Sequence, residues 1–319
     1  MYNNTTHTQS QEISIYLIVQ FCFATLTMIS NIALVMIVAL SKNLQDQSYN
    51  FIINVSISDI ISSIIQYTYA IIAIPTVSTS RPAVAVVCQL AYGVLVTSAN
   101  TSITSLTMIS IYRLKIVTCP LTFRKTIIVK HCNKFIILSW LVSAVFAIPA
   151  FLIGAYNPAT KNCDVGFLYG KIFNVVYYSI TLLFIYLIPG IIMLKNYRRI
   201  ATSLSSQISD NIAVAHDREA SINRTRSVIR IFIITTLAQI LLTLPYIISS
   251  LTYTILNQSQ YQVVVDYNLQ FFVMWSLFVI NNASYLVNPF MFLVFDKNVK
   301  SAAHDLCLQI YDSCNNMKS

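Results

Sequence analysis

The chain has 319 residues, of which 56% are hydrophobic and 10% are charged, with a formal net charge of +9. A water-soluble domain of this length carries about a quarter charged residues, so the composition excludes an ordinary soluble enzyme and points to a bilayer as solvent. The basic excess does not signal nucleic acid, because the charges fall in the segments between long apolar stretches.

Residues 1–12 read as a short polar tail with two overlapping glycosylation acceptors, at Asn3 and Asn4. Span one follows at 13–40. No Lys or Arg precedes it, and it is too long for a cleaved leader, so a retained helix is expected. Spans two to seven are expected at 51–74, 84–117, 135–155, 172–194, 229–256 and 267–295. Each holds at least the ~20 residues that a helix needs to cross a hydrocarbon layer of ~30 Å. Backbone groups find no water there, so each span must close its own hydrogen bonds as a helix. The period-two alternation of a membrane barrel is absent.

The segment 195–230 is the longest inner loop, Ser-rich around 203–209. Its basic ends extend spans five and six beyond the membrane. A further acceptor, Asn257, lies in the last outer loop, whereas the triplets at Asn54, Asn100, Asn223 and Asn282 fall in spans or on the inner side and carry no expectation. Beyond span seven, Val299, Ala302, Ala303, Leu306 and Ile310 recur at helical spacing across 296–311, which predicts an amphipathic helix on the inner leaflet. Cys307 and Cys314 there are either palmitoylated or plain thiols.

With the N-terminus outside, seventeen Lys and Arg lie on the cytoplasmic side and three outside. That asymmetry orients the chain and gives an inner face suited to anionic lipid and an acidic partner surface. The fold class is therefore an all-α membrane protein: an outer tail (1–12), a seven-transmembrane helix bundle (13–295), and a short amphipathic C-terminal helix with its tail (296–319).

Several residues stand out on physical grounds. Asp59 is an ionisable group inside a span, which is expensive and calls for partners. Arg113 ends span three, where its charge must reach the interface or polar neighbours. Pro245 and Pro289 each remove a helical hydrogen bond and kink spans six and seven. Kinked helices are the kind of hinge a two-state switch uses.

Taken in order, these residues resemble the rhodopsin-like family of G-protein-coupled receptors over nearly the whole chain. The set is Asn31 in span one, Asp59 within Asn54-Val-Ser-Ile-Ser-Asp59, Cys88 and Arg113 twenty-five residues apart, Trp140, Pro189 with Tyr197, Pro245, and Asn288-Pro289. The resemblance implies a plasma-membrane receptor, not an enzyme, whose partners are an extracellular ligand and a heterotrimeric G protein. It implies that Asn31, Ser102 and Asn288 surround Asp59, an oxygen-rich set suited to sodium. A protonated or water-bridged Asp59 is the alternative, and no other cofactor is expected. Cys88 and Cys163 both face the oxidising exterior, and a disulfide between them is expected. Cys22, Cys119, Cys132, Cys307 and Cys314 are then free. Arg113 is implied to meet the G protein and Tyr197 when span six swings out.

The chain departs from the family pattern at switch positions. Tyr112 precedes Arg113 where the family has an acid, and Thr225 is no acid either, so the usual restraint on Arg113 is missing and raised basal signalling is expected. Thr243 stands where the family has tryptophan before Pro245, with Gln239 at the nearby aromatic position. Phe292 replaces the tyrosine that follows Asn288-Pro289. In the outer half, Leu95 cannot pair with an ammonium group, and Asn282 replaces the opsin lysine. Together with Tyr246, Gln270 and Trp275, Leu95, Thr243 and Asn282 make up the expected ligand pocket. Its aromatic, neutral polar lining suits a peptide or a weakly charged small molecule, although tyrosines at span ends also serve as interfacial anchors. A non-signalling relative, acting as scavenger or dimer partner, is the second reading. A transporter is the third, and it would need inverted repeats that the sequence does not display.

Overall fold

The computed structural model describes residues 2–44, 47–72, 81–119, 122, 127–157, 162–209, 216–256 and 268–316. Within these, the side chains of 2–16, 81, 162, 204–209, 216–229, 268–272, 274, 275, 310, 312–314 and 316 lie outside the described set. Among the described residues, seven helices are long and apolar enough to cross a membrane: Leu17–Leu40, Gln47–Ile72, Pro82–Thr118, Cys132–Ile153, Lys171–Ser203, Arg230–Ile255 and Ser276–Phe295. They correspond one to one with spans one to seven.

The spans turn most of their polar side chains inward, beside a buried apolar core, and leave apolar side chains on the outside. Span two shows the rule. Ser58, Asp59, Ser62, Ser63 and Gln66 are buried, while Ile57, Ile64 and Ile71, seven residues apart, are exposed to the surroundings. Lipid tails are as apolar as isoleucine, so helices gain little by hiding it. They associate through small side chains and interhelical hydrogen bonds. Accordingly Ser62 and Ser98 join spans two and three at 2.8 Å. Asn54 donates to Ser105 of span three at 2.7 Å and accepts from Trp140 of span four at 2.8 Å. Span three is the central column, packed against spans two, four and five, while spans six and seven pair with each other.

Several helices outrun their spans. The first runs from Tyr2 to Leu40, so the segment read as an outer tail is helical in its backbone. No Gly or Pro interrupts it, and extending a helix is much cheaper than starting one. Span five continues to Ser209 and span six begins at His216, which turns the Ser-rich loop into two helical extensions. Within span five, Leu182–Leu187 is a π-helical segment just before Pro189. A widened turn there accommodates a residue that cannot donate a backbone hydrogen bond. Pro245 and Pro289 lie inside their helices, as does Pro149 in span four.

At the end of the bundle where span three begins, the end read as outer, β1 (Gly154–Asn157) and β2 (Asn162–Val165) form an antiparallel hairpin with Tyr156 opposite Cys163. Cys163 is bonded to Cys88 of span three, with their Cα atoms 5.3 Å apart. Gly154 lets the hairpin cross span three, since a Cβ there would come within 3.0 Å of the Gln89 Cα and the Tyr92 Cβ. Among the described residues, Cys22, Cys119, Cys132 and Cys307 form no disulfide, and Cys314 lies outside the described side chains. On the inner side, Asp296 caps the last helix, Lys297–Asn316, by accepting from the backbone N–H of Asn298 at 2.9 Å and of Val299 at 3.3 Å. Val299 and Ala302 bury against the bundle, while Leu308 and Tyr311 are exposed.

Candidate functional site

Three polar levels are stacked along the bundle. At the inner mouth, helical spacing puts Tyr112 and Arg113 on different faces of span three. Tyr112 turns inward, 2% exposed, with its ring 6.3 Å from Phe51. Arg113 points to the mouth. Its Nη2 donates to Ser48 Oγ of span two at 3.0 Å, and its guanidinium carbon lies 5.0 Å from the ring centre of Phe232 in span six. No ion pair of Arg113 occurs among the described residues, and its Nε is buried without a partner. Phe232 also meets Phe292 of span seven edge to face at 5.3 Å. Spans two, three, six and seven are thus clasped at one point by a hydroxyl and two aromatic rings. Beside it, Tyr197 shares a 3.3 Å hydrogen bond with Thr236, tying span five to span six.

At mid-depth, Asp59 is fully buried. Asn288 Nδ2 donates to its Oδ2 at 2.8 Å. Among the described residues, Asp59 Oδ1, Ser102 Oγ and Asn288 Oδ1 and, on span one, Asn31 Oδ1 have no hydrogen-bond partner. Ser102 faces the carboxylate closely enough to act on it but lacks the geometry of a hydrogen bond. The Asn31 amide instead donates to the backbone oxygens of Thr27 at 2.9 Å and Tyr285 at 3.2 Å, locking span one to span seven. An orphaned set of carboxylate, hydroxyl and amide oxygens in a water-poor interior fits a small hard cation such as sodium.

Between this level and the outer half, the switch positions are polar. Gln239 Nε2 donates to Ser284 of span seven at 3.3 Å, and the Thr243 hydroxyl folds back to the Gln239 carbonyl at 2.7 Å. That back-bond from a threonine hydroxyl ends just before the carbonyl gap that Pro245 leaves at Leu241, and such bonds bend helices slightly. In the outer half, the hydroxyls of Tyr92 and Tyr178 bond at 2.9 Å across spans three and five, and the Tyr246 ring lies 5.8 Å from that of Phe278, tilted against it by 58°. Leu95 and Tyr246 are half-buried, and Asn282 is buried. Of the other expected site residues, Gln270, Trp275, Asn3 and Asn4 have side chains outside the described set, and Asn257 lies outside the described residues altogether.

Ser48 and Phe232 do not stand out in the sequence, since a serine and a phenylalanine in apolar stretches carry no spacing signal. Gln66 does carry one. It continues the buried polar face of Asp59 and Ser62 by one more turn, and an amide at that depth invites a functional reading.

Comparison with known proteins places this arrangement. A family described as 7 transmembrane receptor (rhodopsin family) matches residues 30–292. A Dopamine D2-like receptor of Drosophila melanogaster is 28% identical over 185 residues, 58% of this chain and 20% of that protein. A Rhodopsin, GQ-coupled, of Mizuhopecten yessoensis is 27% identical over 214 residues, 65% of this chain and 43% of that protein. The chain therefore spans less than half the length of these two relatives.

Proposed function

Because this chain belongs to the rhodopsin family of seven-transmembrane receptors, we propose that it carries the binding of an extracellular ligand, a peptide or weakly charged small molecule, to a cytoplasmic heterotrimeric G protein. It does so from the plasma membrane with its N-terminus outside. The family is one of receptors rather than enzymes, and seven spans make the chain a multi-pass membrane protein.

The observation that carries the reading is Arg113 at the inner mouth, held by Ser48 and Phe232 rather than by a carboxylate. Outward movement of span six removes Phe232 from the guanidinium and frees it for a partner. The energy gap between the held and released states is then small enough for a ligand to tip, because a ligand shifts an equilibrium only by its difference in affinity for the two states. Pro245 and the polar Gln239–Ser284 contact supply the hinge and the link to span seven. Sodium, held by Asp59 with Ser102, Asn288 and Asn31, would bias the bundle toward its closed arrangement by neutralising the carboxylate.

Similarity to a dopamine receptor does not bring the amine with it. Leu95 offers an ammonium group no counter-charge, and burying an unpaired charge is costly. Nor does similarity to a rhodopsin bring retinal, since Asn282 supplies no amine for a Schiff base.

The test is nucleotide exchange on a promiscuous G protein, with purified receptor in lipid vesicles, compared with Arg113→Ala. The receptor should accelerate exchange and the variant should not. Exchange at the rate of empty vesicles favours the second reading, a non-signalling relative, which the changed residues Tyr112, Thr225, Thr243 and Phe292 motivate.

A further inference from the structure

Above the switch lies a polar cluster without a role in coupling. Gln66 is 1% exposed, and among the described residues neither its Oε1 nor its Nε2 has a hydrogen-bond partner. Asn282, 3% exposed, has an Nδ2 with no partner among the described residues. Their depth can be fixed from a shared junction. Ser62, one turn inward from Gln66, bonds Ser98 at 2.8 Å and reaches Tyr285 of span seven. Spans two and seven run in opposite directions. One turn outward from that junction therefore brings Gln66 on span two, Asn282 on span seven and Leu95 on span three to the same level. One turn further out, Tyr69 lies within electrostatic range of Tyr246 and Tyr285, so this face of span two looks into the bundle and not into lipid.

Two amides with three unmatched groups, in an interior poor in water, are an unsatisfied site. Whatever satisfies it must accept from two N–H groups and donate to one oxygen. It must also be uncharged. Asp59, the nearest carboxylate on span two, lies seven residues inward, about 10 Å along the helix, and is already bonded by Asn288. No Lys, Arg or His lies within two turns of Gln66 or Asn282 along their own helices.

We propose that Gln66 and Asn282 form a subsite for an uncharged amide group of the ligand. The ligand carbonyl accepts from Gln66 Nε2 and Asn282 Nδ2, and an N–H on the same side of that amide, as in a primary or cis amide, donates to Gln66 Oε1. This rests on the receptor reading and narrows its ligand to a molecule that presents a neutral amide deep in the bundle, such as a blocked or cyclic peptide.

The test uses purified full-length receptor in detergent, with melting temperature as the readout and no G protein present. Three aromatic probes of similar size are compared at millimolar concentration: N-acetylphenylalaninamide, the cation phenethylamine, and 2-phenylethanol. The amide should raise the wild-type melting temperature by at least about 2 °C, as any ligand of the folded state does, and the other two should not. Gln66→Leu and Asn282→Leu should each abolish the shift. Gln66→Leu without ligand should melt no lower than wild type, because an unsatisfied buried amide has been removed. An equal or larger shift with the amine or the alcohol overturns the proposal. So does an amide shift that survives both variants, or no amide shift in wild type. Because melting reports occupancy alone, a receptor that takes the amide but fails to drive nucleotide exchange sinks the coupling and leaves the subsite standing.

Discussion

Replacing Ser48 with alanine removes the oxygen that accepts from Arg113 at 3.0 Å. Such a bond from a charged donor contributes ~1.5–3 kcal/mol where it is well buried. Arg113 is only half-buried, so screening leaves about 1–1.4 kcal/mol. About 1.4 kcal/mol is tenfold in an equilibrium constant, which makes the released state of Arg113 roughly five- to tenfold more favourable relative to the held one. If wild type without ligand is active about 5% of the time, Ser48→Ala should be active about 20–35% of the time. Phe232→Leu, which removes the ring under the guanidinium at 5.0 Å, should act in the same direction by about 0.5–1 kcal/mol. The assay is ligand-free nucleotide exchange at matched receptor concentration. Ser48→Thr keeps the hydroxyl and should stay near wild type, and Arg113→Ala should flatten the whole series. Exchange in Ser48→Ala at or below the wild-type rate would refute the idea that this clasp replaces the missing acid.

Three further outcomes follow from other levels of the bundle. Tyr112→Asp restores an acid next to Arg113 and should lower ligand-free exchange. A wild type no more active than this variant counts against a weak restraint. Sodium should raise the melting temperature of wild type in proportion to the logarithm of its concentration once the site begins to fill, and Asp59→Asn should lose that dependence. A sodium response equal in the two proteins assigns the orphaned oxygens to water. A Cβ at Gly93 would overlap the Phe151 ring of span four, so Gly93→Ala should cost about 1–3 kcal/mol and lower the melting temperature. Adding Phe151→Leu should recover most of that loss, and a double variant no better than the single one would place the damage elsewhere.

The span count and the orientation of the polar faces are legible in the sequence because lipid imposes a rule on each helix separately: apolar length, internal hydrogen bonds, basic residues on one side. Asp59 stands out for the same reason, since a carboxylate among isoleucines and serines is conspicuous without any knowledge of its neighbours. What the sequence hides is what happens between helices. Nothing near Ser48 announces that it will lie under Arg113, sixty-five residues away. Nothing near Phe232 tells whether it faces lipid or a guanidinium. Helix ends are legible in part. The basic ends of 195–230 announce that spans five and six run on, and they do. The polar stretch 1–12 looks like a tail by composition, yet a helix already nucleated by a membrane span runs on through residues 2–12, because each added residue contributes one hydrogen bond and meets no Gly or Pro. Asn31 shows the limit of resemblance itself. The resemblance sets it beside Asp59, but its amide spends its protons on the carbonyls of Thr27 and Tyr285, which leaves only its oxygen unmatched. A residue at a family position keeps its depth and its face. Which of its atoms remains unmatched is decided by the neighbouring helices, and at Asn31, Gln66 and Asn282 that unmatched atom is what a bound ion or ligand would meet.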